Sequence, residues 1–160
     1  MIPKRSLTKE QAIQKAKHYC AFQERTHIET KEKLYSFGLH KNEVEESMAQ
    51  LIEENYLNEE RFAIQFAGGK FRMKHWGKMK IKYALKEKRI SDYNIRKALE
   101  EIDEDEYRQQ LQKLAVKKWK SMKTEKNSYL KLQKARDYLI RKGYESGLVM
   151  PVLRKLTTES

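Results

Sequence analysis

The order of hydrophobic and polar residues repeats three times along the chain. Each copy spaces its apolar residues by three and four, which is the period of a helix buried on one side. The copies comprise Leu34, Gly38, Leu39, Val44, Met48 and Leu51; Leu85, Arg89, Ile90, Ile95, Leu99 and Ile102; and Leu139, Gly143, Tyr144, Val149, Leu153 and Leu156. They begin 51 and 54 residues apart. A period of this size indicates a repeat architecture, which usually presents a surface to a partner and seldom a catalytic pocket.

The repeat predicts an all-α protein built from three tandem three-helix units. Alternation with a period of two is rare, and two prolines and six glycines leave little material for turns between strands. Each unit has one leading helix, followed by a helix–turn–helix outline that carries the repeated pattern. We assign the first unit to residues 1–57, the second unit to residues 58–102 and the third unit to residues 103–160. The units are expected to form an elongated array, either straight or curved.

Local signals set the expected helix boundaries. The four-residue segments that begin at Thr8 and at Thr26 have the form of capping boxes, so these two threonines should start the first two helices. Asn58 is a good N-cap for the fourth helix, because its side chain can accept from a free backbone N–H. Pro151 cannot lie deep in a helix, since it lacks the N–H that bonds to the preceding turn. We therefore expect the last helix to begin at or after Leu148.

The chain is strongly basic, and its charge is unevenly distributed. Its 35 Lys and Arg residues and 23 Asp and Glu residues give a net charge of +12, which favours polyanionic partners such as nucleic acid. The first unit holds nine basic and nine acidic residues, whereas the second holds twelve against six and the third fourteen against eight. The excess is concentrated in residues 70–89 and 117–142, where aromatic residues stand among the cations.

These two basic segments suit contact with a phosphate backbone. The alternative interpretation is a solvated lysine-rich face above buried aromatic rings. The predicted contact surface consists of Lys70, Arg72, Lys74, Lys78, Lys80, Lys82, Lys86, Lys88, Arg89, Lys117, Lys118, Lys120, Lys131, Lys134, Arg141 and Lys142.

No residue pattern predicts catalysis, a cofactor or a metal site. The four histidines lack the spacing of metal ligands, and Cys20 lies on the apolar side of the first helix, where a small core residue is expected. Residues 68–70 read GGK but lack the upstream glycine and the following Ser or Thr of a phosphate-binding loop. We expect a non-enzymatic protein without a membrane span or signal peptide, located in the cytoplasm and monomeric.

Two segments of the second unit carry a family signature. Residues 56–63 read YLNEERFA, and residues 77–85 read GKMKIKYAL. They resemble the Y-[L/I]-[D/N]-[D/E]-x-x-[F/Y]-A and G-x-x-[R/K]-I-x-x-[E/A]-L segments of the RecX regulatory proteins. Residues 88–90 read KRI where that family usually has K-G-I, and residues 95–99 match its I-x-x-A-L. Arg89 replaces the usual glycine, and Ala84 stands where an acid is common.

The resemblance implies a modulator of the RecA recombinase. RecX proteins bind the RecA filament on single-stranded DNA, typically inhibit ATP hydrolysis and strand exchange, and favour filament loss. They act in homologous recombination, DNA repair and the SOS response, and some also bind DNA. No cofactor or catalytic residue is implied, because the ATPase belongs to RecA. The alternative prediction is a helix-turn-helix-like module that acts directly on nucleic acid. Such a module reads bases with the start of its second helix, and the residues at that place, 41–43 and 92–94, are mixed in charge and poorly suited to this role.

Overall fold

A computed structural model of the chain describes residues 6–159. Within them the secondary structure is entirely helical, which confirms the predicted all-α class. The helices are α1 (Lys9–Phe22), α2 (His27–Ser36), α3 (Lys41–Glu53), α4 (Glu59–Lys74), α5 (Lys78–Glu87), α6 (Asp92–Glu100), α7 (Glu104–Ser121), α8 (Ser128–Lys142) and α9 (Ser146–Glu159). In this part of the chain, no helix combines the length and apolar character that crossing a bilayer requires.

The predicted starts of α1, α2 and α4 agree with the structure. The Thr8 side chain accepts from the Gln11 backbone N–H, and the Gln11 side chain accepts from the Thr8 N–H. Thr26 and Glu29 make the same reciprocal pair. Asn58 accepts from the Arg61 N–H at 2.9 Å. These side chains satisfy donors that the first helical turn leaves without partners, so local sequence alone determines where these helices begin.

One position of the threefold pattern has the same backbone conformation in every copy. Gly38, Arg89 and Gly143 all lie in the left-handed region, with φ of 91°, 59° and 105°. This conformation reverses the chain after α2, α5 and α8, and glycine adopts it without steric cost. Arg89 therefore takes the conformation for which the family normally uses glycine, and its exposed side chain avoids any further clash.

Packing divides the helices into three groups of three. Helices α1–α3 pack against one another, as do α4–α6 and α7–α9. The chain exposes 10732 Å² of surface, compared with about 8,400 Å² for a compact monomer of this mass. The excess is what a row of small helical groups produces.

The buried side chains form two cores. The first lies within the first unit and includes Cys20, which is 5% exposed as predicted for a core residue. The second core runs continuously from Phe62 to Leu153 and joins the second and third units. The first unit therefore has its own core, whereas the other two share one.

The predicted start of the last helix is wrong. Helix α9 begins at Ser146, two residues before Leu148, and Pro151 lies in its second turn. The first turn is anchored by the Glu145 carbonyl, which accepts from the N–H groups of the third and fourth helical residues. Pro151 removes only the bond to the Gly147 carbonyl. Both of those residues are exposed, so water can satisfy that carbonyl at little cost.

Candidate nucleic-acid interface

The second and third units meet through their backbones at two glycines. The Gly77 N–H donates to the Lys142 carbonyl at 2.7 Å, and the Met79 N–H donates to the Gly143 carbonyl at 2.9 Å. A Cβ added to Gly77 would lie 2.3 Å from the Gly143 carbonyl carbon. The start of α5 therefore lies directly against the end of α8, at a distance that only glycine allows.

Two buried tyrosines brace the same junction. The Lys78 N–H donates to the Tyr107 hydroxyl at 2.9 Å, and that hydroxyl donates to the Glu145 carboxylate. The Tyr144 hydroxyl donates to the His75 carbonyl at 2.9 Å, and the two rings lie 5.1 Å apart. Burial raises the pKa of both tyrosines well above their usual range, and the bond to Glu145 adds to the effect at Tyr107. Both hydroxyls therefore remain protonated hydrogen-bond donors.

The junction brings part of the two predicted basic segments together in one groove between α5 and α8, with one wall from α7. We call it the α5–α8 groove. It has a volume of 490 Å³, which lies in the range typical of binding clefts. Its lining consists of Lys80, Lys118, Lys134, Asp137, Tyr138, Arg141 and Lys142. Five cations and one acid face this groove, and the five cations come from both predicted segments.

The remaining predicted contact residues lie elsewhere. Lys78, Lys82 and Lys86 line a separate groove between α5 and α6. Arg72 lines a cavity beside α7. The others lie outside the α5–α8 lining, at the end of α4, after α5, or on α7 and α8; they are Lys70, Lys74, Lys88, Arg89, Lys117, Lys120 and Lys131. The sixteen predicted contact residues are therefore distributed over several separate surfaces.

Aromatic rings hold many of these lysines in place. The Nζ atoms of Lys70 and Lys80 lie 5.0 and 4.6 Å from the Trp76 ring centroid. Lys118 Nζ lies 5.0 Å from the Tyr138 ring. Such cation–π contacts restrict the lysine side chains while leaving their net charge and N–H donors free for an anion.

Ion pairing differs between the units. In the first unit, Lys9 pairs with Glu46 at 2.5 Å and Lys17 pairs with Glu54 at 3.0 Å. The hydrogen bond from Lys17 lowers the pKa of the Glu54 carboxyl. Among the sixteen predicted contact residues, ion pairs with described carboxylates are formed by Lys78, with Glu104, and Lys134, with Glu125. The positive charge of these sixteen residues is therefore largely uncompensated by ion pairs.

Sequence reasoning missed the residues that build the junction. Gly77 and Gly143 could be identified as helix boundaries, but their spacing gives no sign that their backbones touch. Tyr144 belongs to the repeated pattern and Tyr107 follows the acidic start of α7; neither pattern indicates a hydrogen bond across units. Within residues 6–159, no group of three His, Cys, Asp or Glu side chains lies close enough together to hold a metal ion.

Comparison with known proteins gives consistent matches. Residues 58–99 match the family model "RecX, second three-helix domain", and residues 104–153 match "RecX, third three-helix domain". The regulatory protein RecX of Clostridium perfringens is 32% identical over 134 residues, covering 83% of this chain and 62% of that protein. The RecX of Clostridium tetani is 33% identical over 133 residues, covering 82% and 61%. The chain therefore spans about three fifths of the length of these curated relatives.

A solved structure shares the fold. The crystal structure of RecX from Lactobacillus salivarius superposes with a TM-score of 0.85 at 22% identity, covering 92% of this chain and 96% of that one. At this identity the likeness shows the arrangement of helices, which agrees with the three-helix units described above.

Proposed function

The chain belongs to the RecX family, and on that premise we propose that it binds the RecA–single-stranded DNA filament and inhibits RecA. The expected targets are ATP hydrolysis, strand exchange and filament stability. The observation that carries the proposal is the α5–α8 groove, where five cations from two units converge with a single acid. Such a groove suits the phosphate backbone of the nucleic acid within the filament.

The groove is adapted to a flexible strand more than to base-specific reading of a duplex. Its cations come from α5, α7 and α8, whereas the second helix of each helix–turn–helix outline is α3, α6 or α9. A helix-turn-helix reader would place base-contacting residues at the start of that second helix. Residues 92–94 at the start of α6 are Asp, Tyr and Asn, and contribute no cation. This arrangement favours non-specific, salt-dependent binding over the alternative of a sequence-reading module.

Regulation of this kind needs binding and no catalysis. A protein shifts a filament equilibrium only by the difference between its affinities for the two states. A hundredfold preference for an inactive or disassembling state corresponds to about 2.8 kcal/mol. A few charge-assisted contacts to phosphates or to protein, each worth about 1.5–3 kcal/mol, supply that difference. The proposed action is in the cytoplasm, by a monomer without a cofactor.

The decisive experiment measures DNA-dependent ATP hydrolysis by RecA while the protein is titrated, together with co-sedimentation on RecA–single-stranded DNA filaments. We expect hydrolysis to fall as the protein binds. The variant Lys80→Glu/Lys142→Glu, which reverses two cations of the groove, should need at least a tenfold higher concentration. The variant Lys31→Glu/Lys41→Glu makes the same charge change on exposed positions of the first unit and should act like the wild type.

Unchanged ATP hydrolysis at every concentration, with no co-sedimentation, would refute the proposal. Gel shifts on duplex DNA address the alternative function. Site-specific duplex binding that persists at physiological salt would support direct action on DNA, whereas weak binding that falls steeply with salt agrees with a filament regulator.

A further inference from the structure

Helix α5 directs its lysines into two different grooves. Lys80 enters the α5–α8 groove, whereas Lys78, Lys82 and Lys86 line the other side of the helix. These three follow a spacing of four residues, so they form one row about 12 Å long on the helix surface. We call this row and its surroundings the α5–α6 groove. It has a volume of 410 Å³ and is lined by Lys78, Lys82, Lys86, Asp92, Ile95, Arg96, Leu99 and Glu100.

The two grooves differ in chemistry. The α5–α8 groove has five cations, one acid and a tyrosine. The α5–α6 groove has an apolar floor of Ile95 and Leu99 beside the lysine row of α5. Its α6 side carries two carboxylates, Asp92 and Glu100, with Arg96 between them. Phosphates in this groove would meet two carboxylates as well as Arg96 on the α6 side, and an extended strand would leave the apolar floor without a matching contact.

A protein helix matches this groove better. An amphipathic helix can lay apolar side chains on a hydrophobic floor while its flanking residues meet charged rims. Carboxylates spaced by four residues along such a helix repeat with the same period as Lys78, Lys82 and Lys86. Of these lysines, Lys78 forms an ion pair with Glu104, in which its Nζ lies 3.4 Å from one carboxylate oxygen while the other oxygen pairs with Arg108. Lys82 and Lys86 make no ion pair with a described carboxylate. The row therefore retains charge for a partner.

We propose that the α5–α6 groove binds an acidic amphipathic helix of the protein component of the filament, while the α5–α8 groove binds its DNA. This assignment rests on the proposed function and divides its basic surface between two ligands. Lys80 and the row of Lys78, Lys82 and Lys86 lie on different sides of α5, so this helix lies between the DNA-binding side and the protein-binding side. One short helix would connect the two components of the filament.

Site-specific photocrosslinking tests the occupant directly. Lys82→p-benzoylphenylalanine places a crosslinker in the α5–α6 groove, and Lys80→p-benzoylphenylalanine places one in the α5–α8 groove. With RecA filaments on single-stranded DNA, we expect position 82 to crosslink to RecA and position 80 to DNA. Crosslinking of position 82 to DNA, to a second copy of this chain, or to nothing while position 80 reacts would overturn the assignment. Wild-type protein that fails to co-sediment with filaments would instead overturn the proposed function, and this assignment with it.

Charge reversal gives an independent measurement. Lys82→Glu/Lys86→Glu and Lys80→Glu/Lys142→Glu change the net charge equally, so overall charge cannot distinguish them. We expect the first variant to lose at least tenfold in filament co-sedimentation while its affinity for a free single-stranded oligonucleotide changes by less than threefold. The second should lose at least tenfold in oligonucleotide affinity. Equal losses by both variants in the oligonucleotide assay would overturn the division, provided that far-UV circular dichroism shows both to be folded.

Discussion

Replacing Gly77 with alanine perturbs the junction between the second and third units without changing any charge. The φ of Gly77 is −78° and its ψ is 167°, a conformation that alanine adopts easily. The cost therefore comes from contact alone. The added Cβ would lie 2.3 Å from the Gly143 carbonyl carbon and 2.4 Å from the Tyr144 nitrogen. Both neighbours are backbone atoms that cannot rotate away, so α5 and the end of α8 must separate.

The expected loss of stability follows from the contacts that this separation breaks. Two backbone hydrogen bonds cross the junction at 2.7 and 2.9 Å, and each contributes about 1 kcal/mol net. Forcing a methyl group into a packed contact adds about 1–3 kcal/mol. We therefore expect the free energy of unfolding of these two units to fall by about 3–5 kcal/mol, which lowers their Tm by roughly 15–20 °C.

Tryptophan fluorescence during urea unfolding is a suitable assay, because the two tryptophans, Trp76 and Trp119, both lie in the second and third units. Gly69→Ala is the matched control. Gly69 lies inside α4 and an added Cβ would meet nothing within 4 Å, so alanine should stabilise the helix by about 0.5–1 kcal/mol. A Gly77→Ala protein within 0.5 kcal/mol of the wild type would refute the view that this contact locks the units together.

Three further predictions concern other parts of the chain. If Lys80 and Lys142 each contact a phosphate, changing both to glutamine should reduce the slope of log K against log[salt] for single-stranded DNA by about 1.4; a change below about 0.5 would contradict this. Arg61 donates to Glu24 at 2.5 Å and to the Asn55 carbonyl at 3.0 Å. Arg61→Ala should therefore cost about 2 kcal/mol in urea unfolding, and adding Glu24→Gln should recover part of the loss by removing an unpaired carboxylate. Arg89→Gly should raise the free energy of unfolding in urea by about 0.5–1 kcal/mol, because glycine adopts φ of 59° without strain; an unchanged urea midpoint would contradict this.

The sequence predicts the helices of this protein well because most of their boundaries are local. Thr8 and Thr26 have their partners three residues away, and Gly38 ends α2 through its own backbone freedom. Pro151 is the exception. Its general effect on helices predicted a later start for α9, but the cost depends on which carbonyl loses its bond and whether water reaches it. Sequence spacing contains neither fact.

For the candidate interface, the sequence predicts which segments are basic but does not predict how their side chains are arranged in space. Counting charges correctly indicated that the basic excess lies in the second and third units. Counting could not show that Lys80 and Lys82, two residues apart, enter different grooves, because that depends on which helices pack on each side of α5. Nor could it show that Lys80 lies beside Lys142, since the Gly77–Gly143 contact joins positions far apart in the chain.

Backbone contacts determine the geometry of the α5–α8 groove. A substitution at these contacts can therefore change the shape of the groove while its charge stays the same, so the two contributions to DNA binding can be measured separately. Lys80 lies three residues after Gly77, and Lys142 precedes Gly143, so separation of the two glycines also separates the two cations. Binding that needs both cations on one strand should then weaken, although the net charge is still +12. We expect Gly77→Ala to lower single-stranded DNA affinity at least fivefold at a temperature where it remains folded, whereas Gly69→Ala binds as the wild type does. Equal affinity for both variants in fluorescence anisotropy would mean that charge density alone attracts DNA and that the groove's shape contributes nothing.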